Sequence, residues 1–196
     1  MTSIQPFEAT DLFDLQPVNL DPLTENFPLE FYFEYLILWP TLFFKSVENE
    51  YNKDKKTNTP VTSGYIMGKT EGKKSEWHSH ITAVTVSKNY RRLSIASKYL
   101  CVPFAKISDF NSKAYFVDLF VKCNNALAIK MYENLGYSIY RRVVGYYGDG
   151  SNNSLKNIDD DNDAYDMRLA LSSDPDGKSI RRNGKEVRCL PSDVRF

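Results

Sequence analysis

The sequence predicts a mixed α/β fold, and three observations carry that reading. Three hairpin-like strand segments follow one another between Leu42 and Val86. An almost uninterrupted apolar stretch, Tyr115 to Val121, sits between two helical segments, and a pair of strands closes the pattern. The predicted order is strand, helices, three strands, helix, strand, helix, two strands. A pattern of this kind supports many chemistries, so function has to be read from sites rather than from the fold.

The elements follow from local chemistry. Ile4 to Phe7 reads as a short strand, and Thr10 as an N-cap ahead of Asp11, Leu12 and Phe13. Between Asp21 and Pro28 each proline drives its predecessor out of the helical region, which predicts an irregular loop. Leu29 to Trp39 is helical in length and apolar on almost every side, interrupted only by Glu30 and Glu34, and Pro40 ends it. That apolar surface suits either a wholly internal helix or one whose remainder a second protein covers. Leu42–Val47 and Val61–Thr70 read as hairpin strands around a solvated, Lys- and Asn-rich loop, Asn52 to Asn58, and Trp77–Val86 continues the meander. A helix from Leu93 to Ser108 contains Pro103, which should kink or shorten it. Tyr115–Val121 predicts a strand buried on both faces. Asn125–Leu135 predicts a helix closed by Gly136 in a left-handed cap. Tyr137–Tyr147 and Ala164–Leu169 form the final strand pair, separated by the polar loop Gly148–Asp163. Residues 172–196 predict a loosely ordered polar tail unless a partner holds it.

Composition excludes several classes. With 196 residues, 42% of them hydrophobic, one domain with a real core and a short appendage is expected. The 25 basic residues balance the 25 acidic ones, so the overall field gives no reason to expect nucleic acid as a partner. Cys101, Cys123 and Cys189 are widely spaced and make no disulfide framework, which points to a reducing, intracellular setting. Met1–Ala9 has neither a basic start nor an apolar run, and no apolar stretch is long enough to span a bilayer, so secretion and membrane insertion are disfavoured.

The first chemical motif is Val84 to Ala96, a strand entering a basic turn that opens a helix. Backbone N–H groups at the helix start, with Arg91, Arg92 and the small residues Ser94 and Ala96, would seat a pyrophosphate. An ordinary strand–turn–helix with two exposed arginines fits the same residues. Here Arg91–Ala96 resembles the cofactor motif of the GNAT acetyltransferase superfamily, Q/R-x-x-G-x-G/A, with Ser94 where glycine is usual. The segment from Phe116 to Tyr137 resembles a second pattern of that family, V-x-x-x-N-x-x-A-x-x-x-Y-x-x-x-G-[FY], with Val121, Asn125, Ala128, Tyr132, Gly136 and Tyr137 in register. Leu20–Asn26, Phe31-Tyr32, Tyr35-Leu36, Trp77–Ala83, Tyr146-Tyr147 and Ala164–Arg168 are further similar to the catalytic subunits of NatB N-terminal acetyltransferases, a likeness covering residues 1–172.

The resemblance implies a GNAT fold over residues 1–171, with a central mixed, mostly antiparallel sheet flanked by helices. The polar tail 172–196 would lie outside it. The implied reaction moves acetyl from acetyl-CoA, without a metal, to the α-amine of the initiator Met of proteins beginning Met-Asp, Met-Glu, Met-Asn or Met-Gln. The alternatives are acetylation of lysine or small amines, and a non-catalytic acyl-CoA-binding subunit. In the implied site, Val84 supplies a backbone donor to the developing oxyanion, and Val84 and Val86 run along the pantetheine. The turn from Arg91 through Arg92, Leu93, Ser94, Ile95 and Ala96 to Ser97 holds the phosphates; Ser94 either crowds them or donates a hydrogen bond. Tyr132 donates to the sulfur, Ala128 one turn earlier leaves room for the cofactor arm, and Asn125 holds that arm or positions a water.

For the peptide, Glu25, Asn26 and Phe27 would line a loop over its start. His80 and Thr82, alternate residues on one strand face, would meet the acidic second residue, with His78 structural. Tyr146 and Tyr147 would clamp the peptide backbone, or one of them packs only in the sheet. No third ligand accompanies the histidines at metal-site spacing. The implied partners are a large helical-repeat auxiliary subunit, nascent chains and, through that subunit, the ribosome in the cytoplasm.

Overall fold

The computed structural model describes residues 2–21, 24–52, 56–148, 155 and 159–194. The expectations for residues 22–23, for 53–55 and for most of the Gly148–Asp163 loop lie outside these. The chain divides into two compact units, one of residues 1–69 and 81–107, the other of residues 70–80 and 108–196. Among the described residues no helix is long and apolar enough to cross a membrane.

In the first unit, strand β1 (Ser3–Pro6) pairs antiparallel with β2 (Phe43–Asn52), which pairs antiparallel with β3 (Thr57–Glu71). β4 (His78–Val86) comes next to β3; it begins in the second unit at His78–His80 and continues here from Ile81. The hairpin is longer than the hydrophobic pattern indicated. Glu50 pairs with Thr59 and Asn52 with Thr57, so Asn52, Thr57 and Asn58 of the expected loop belong to the ladder. Cross-strand backbone bonds extend the polar ends of both strands where side-chain alternation gives no cue.

Thr10 is not the N-cap of the first helical turn. That turn is a 3₁₀ segment, Ala9–Asp14, preceded by Glu8, whose N–H donates to the Asp11 carboxylate at 2.8 Å. A short helix α1 (Gln16–Asn19) leads to the irregular loop and then to α2 (Leu29–Leu38), which ends before Pro40 as expected. The core of this unit is aromatic. Phe7 stacks on Phe43 at 4.1 Å, and Tyr32, Tyr35, Tyr65 and Met67 close around them. Only Tyr32 and Tyr35 of α2 are buried, whereas Leu29, Phe33, Ile37 and Leu38 remain exposed, Ile37 by 76%.

The helix predicted over Leu93–Ser108 starts later, at Ile95. Its first part, Ile95–Cys101, is a π-helix that passes into α3 (Val102–Phe110). The Val102 N–H reaches back five residues to the Ser97 carbonyl. This widened turn stands directly before Pro103, whose ring nitrogen has no hydrogen to continue the ladder.

In the second unit the strand order is β5 (Phe116–Lys122), β7 (Ala164–Ala170), β6 (Ser138–Val143) and β8 (Arg188–Cys189). β7 pairs antiparallel with β5 and β6, and β8 pairs parallel with β6. Helix α4 (Ala126–Asn134) is capped by Asn125 and followed by Gly136 at φ +94°, as the sequence indicated. β6 stops at Val143 rather than reaching Tyr147. Gly145 takes φ +70° and donates its N–H to Asp163 at 2.7 Å, turning the chain before Tyr146.

Residues 172–194 are ordered, against expectation. The buried Asp174 accepts the N–H groups of Lys178 and Ser179 at 2.9 and 2.7 Å. The Arg181 guanidinium lies 3.8 Å from the centre of the Tyr140 ring. Gly184 then presses against β6, where an added Cβ would stand 1.8 Å from the Ile139 carbonyl oxygen. Polar capping and close backbone approach hold this segment, and neither leaves a hydrophobic period to read. Gly184→Ala should therefore lower unfolding stability by about 1–3 kcal/mol and speed amide exchange at Arg142 and Val144, whose N–H groups bond the tail at 2.8 and 2.9 Å. Denaturant unfolding and hydrogen exchange measure the two effects.

Candidate active site

The candidate residues belong to both units, and each group is built within its own. In the first unit the half-buried end of β4 carries Thr82, Val84 and Val86, and then turns sharply. Arg91 braces this turn: its Nη2 donates to Asp21 at 2.8 Å and its Nε to the Val86 carbonyl at 3.1 Å. Those two donors are engaged within the protein. Arg92 is exposed, and among the described residues its guanidinium has no partner, so it is the arginine open to a phosphate.

Arg92 and Ser94 hold φ values of +66° and +60°, a region that disfavours side chains other than glycine by roughly 1–2 kcal/mol. Ser94 thus occupies a left-handed position, the physical reason for glycine at its place in the motif. Leu93 between them is exposed, Ile95 is buried, and Ala96 and Ser97 are half-buried, with Ser97 Oγ donating to the Ser94 carbonyl at 3.2 Å. The first N–H groups of a helix have no carbonyl one turn behind them, so this start presents donors in an exposed, strained loop beside Arg92. These residues fit a pyrophosphate.

The loop before α2 is bound to β4. Thr24 Oγ1 lies 2.8 Å from Thr85 Oγ1, and the Tyr35 hydroxyl lies 2.8 Å from Thr82 Oγ1. Thr82 therefore already has a hydroxyl partner. Asn26 Nδ2 donates to the Asn19 carbonyl at 2.9 Å, which gives Asn26 a loop-shaping role. Phe27 stacks on Phe31 at 4.7 Å, and Glu25 is exposed.

In the second unit, Asn125 Oδ1 accepts the Ala128 N–H at 3.2 Å, so this oxygen caps α4. Tyr132, one turn beyond Ala128, is buried with its ring edge-on to Tyr137 at 5.5 Å. A second cluster joins His80, Phe120, Tyr146 and Tyr147. The His80 ring is 5.5 Å from that of Phe120, Phe120 stacks on Tyr146 at 4.6 Å, and Tyr146 meets Tyr147 edge-on at 5.0 Å. The Tyr147 hydroxyl donates to the Phe120 carbonyl at 3.3 Å, whereas the Tyr146 side stays partly exposed.

Behind His80 stands a residue that the motif reading passed over. Asp118 is fully buried, and its Oδ1 accepts from His80 Nδ1 at 2.8 Å and lies 3.5 Å from His78 Nε2. His78 is also fully buried, stacked on Phe116 at 4.6 Å, with Nδ1 donating to the Glu76 carbonyl at 2.6 Å and Nε2 lying 3.7 Å from Glu71. Burial works against a charge on His78, but Glu71, Asp118 and the Glu76 carbonyl outweigh it and raise its pKa above the ordinary imidazole value. Burial likewise opposes the Asp118 charge, yet His80, His78 and Arg168 together hold the carboxyl below its usual range. The available signal for Asp118 was a single charge inside an otherwise apolar strand.

The Acetyltransferase (GNAT) family profile matches residues 14–137, more than half of the chain. This chain belongs to the GNAT acetyltransferase family. It is similar to the N-terminal acetyltransferase B complex catalytic subunit NAT3 of Saccharomyces cerevisiae, 58% identical over 200 residues and covering 100% of both chains. Among solved structures it is similar to a chain of the NatB acetyltransferase complex bound to a bisubstrate inhibitor, with TM-score 0.84, 50% identity and 99% of each chain covered. It is also similar to one of the NatB complex bound to CoA and MES, with TM-score 0.68, 52% identity, and 86% of this chain and 99% of that one covered.

The buried charges make stability depend on pH. The Asp118 contribution is present above the ordinary carboxylate pKa of about 4 and is lost as pH falls through its lower folded value. That of His78 is complete below the ordinary imidazole pKa of about 6.5 and is lost as pH rises through its higher folded value. Urea unfolding across pH should show both contributions complete between those values. His78→Gln should abolish the alkaline decline while leaving the acid one.

Proposed function

We propose that this chain is the catalytic subunit of a NatB-type N-terminal acetyltransferase that acetylates the initiator Met of proteins beginning Met-Asp, Met-Glu, Met-Asn or Met-Gln. The observation that carries this reading is likeness along the full length of a NatB catalytic subunit, 58% identical with 100% of both chains covered. Acetyl-CoA supplies the activated acetyl group. The chain's own residues have to align amine and carbonyl, stabilise charge on the carbonyl oxygen, and assist departure of the sulfur.

An α-amine has a pKa of about 7.7–8.0, so roughly a tenth is neutral near pH 7 and no strong base is required. In this reading the helix start at Ile95–Ser97 and Arg92 bind the phosphates, while Val84 and Val86 bind the pantetheine through backbone groups. Val84 also supplies the donor for charge on the carbonyl oxygen. Tyr132 donates its phenolic hydrogen to the sulfur, which needs a hydrogen bond rather than complete proton transfer. Asn125 supports the helix that presents Tyr132 and, through Nδ2, has a donor for the cofactor arm. Glu25 and Phe27 meet the peptide start, His80 and Thr82 its second residue, and Tyr146 its backbone.

The exposed apolar face of α2, with Leu29, Phe33, Ile37 and Leu38, is where a helical-repeat auxiliary subunit would bind. That subunit would hold the enzyme at the cytoplasmic ribosome and its nascent chains. Two experiments test the reading. Peptides beginning Met-Asp, Met-Glu, Met-Asn, Ser-Glu and Met-Leu, and an N-blocked lysine peptide, should be acetylated with a clear preference for the first three; preference for the lysine peptide would overturn it. Tyr132→Phe should lower kcat by about 10²-fold while leaving acetyl-CoA affinity nearly unchanged by calorimetry. Undiminished turnover would remove Tyr132 from its role.

A further inference from the structure

The second unit contains a carboxylate whose position asks for an explanation. Asp118 is fully buried at the middle of β5, and its Oδ2 has no hydrogen-bond partner among the described residues. Its Oδ1 meets His80 Nδ1 at 2.8 Å. Because an ionised carboxylate can only accept, His80 Nδ1 carries a hydrogen in this pair, and Nε2 is the nitrogen left to face a ligand. The His80 side chain is 12% exposed, and the ring sits against Phe120 in the cluster that includes Tyr146.

The two protonation states of His80 recognise different partners. As an imidazolium it donates from Nε2 and meets a carboxylate. As a neutral ring protonated on Nδ1 it accepts at Nε2 and suits the N–H of an amide. An acidic second residue therefore depends on the charged ring, whereas an amide is read by either form. The Asp118 carboxylate on Nδ1 disfavours the neutral tautomer that would carry its hydrogen on Nε2.

The surrounding charges set the background. On β3 Glu71 faces His78, and on the turn before β4 Glu76 lies 3.8 Å from Arg168. On β7 Arg168 is in register with Asp118, and Asp166 beside it is paired with Arg141 of β6 at 2.8 Å. Asp118 is the only one of these carboxylates bonded to His80.

We propose that Asp118 is a positioning residue for substrate selection: it holds the Nδ1–H of His80 and so fixes Nε2 as the nitrogen that reads the second residue. This rests on the assignment of His80 as a substrate contact. The same pair explains how one side chain accepts both acids and amides, and it makes the preference between them depend on pH.

The test uses the assembled complex and two peptides that differ only in Met-Asp against Met-Asn, with kcat/KM measured from about pH 6 to about pH 9. In the wild type the Met-Asp to Met-Asn ratio should fall as pH rises. In Asp118→Asn the fall should flatten to within about twofold across the range, because an amide can donate to Nδ1 and leave a neutral ring with its hydrogen on Nε2 to meet the acid. Equal losses on both peptides with an unmoved profile would overturn the proposal. A second measurement needs no variant, since His78 and His80 are the chain's only histidines. Imidazole ¹⁵N NMR of this chain, labelled and assembled with unlabelled partner, should show His80 with its hydrogen on Nδ1; a neutral Nε2–H tautomer would overturn the proposal. His80→Ala separates the two assignments. If it leaves the wild-type ratio and its pH dependence intact, the substrate role of His80 fails. If it abolishes them while Asp118→Asn does not alter them, the role of Asp118 alone fails.

Discussion

A carboxylate removed from water must be met by positive charge and donors, or it will not stay ionised. In the second unit that requirement falls on Asp118, and much of the unit is arranged to satisfy it. His78 and His80 come to it from the start of β4, and Arg168 comes from the neighbouring strand. Arg168 is itself packed between aromatic surfaces, 4.4 Å from the Phe116 ring centre and 3.7 Å from that of Tyr140. Tyr140 in turn receives Arg181 from the tail. Charge and ring contacts thus connect the histidine proposed to read the substrate with the segment that completes the sheet edge. Losing one of these partners leaves the others to balance a buried charge, so each loss carries an electrostatic cost.

The first unit solves a different problem with different means. Its core is a stack of aromatic rings, and the contacts that tie the loop and α2 into it are neutral: Thr24 with Thr85, Tyr35 with Thr82, and Asn19 with Tyr65 at 3.1 Å. These bind the loop and α2 to β4 without drawing counter-charges into the region proposed to receive the cofactor. An ion pair, Arg91 with Asp21, holds the turn that brings Arg92 and Ser94 into left-handed conformations. Strain in that turn places an exposed guanidinium and the first N–H groups of a helix in one loop.

The sequence disclosed what periodicity and punctuation encode. The span of α2 between prolines, the α4 helix with Asn125 before it and Gly136 after it, and the apolar β5 were legible because each has a cap, a stop or a run that states its limits. The placement of the motif residues in the turn and on α4 was legible for the same reason, since their spacing is local. What escaped depends on the opposite strand or on backbone geometry. Ladder bonds lengthen β2 and β3 through polar residues, a left-handed Gly145 removes Tyr146 and Tyr147 from the strand, and Gly184 docks the tail by close approach. Asp118 escaped for a related reason: a charge within a strand gains meaning only when the chain brings two histidines beside it.

The β2–β3 hairpin illustrates how such geometry is distributed. β1 accompanies β2 only from Phe44 to Val47, while β2 and β3 remain paired with each other through Asn52 and Thr57. The exposed ends of this ribbon, from Thr57 to Pro60, bury nothing. Residues can be inserted or deleted there in pairs without altering the inward or outward sense of any side chain nearer the core. The ribbon is consequently a region where related genes can drift in length, and a natural place to graft a probe or an epitope while leaving the chemistry untouched.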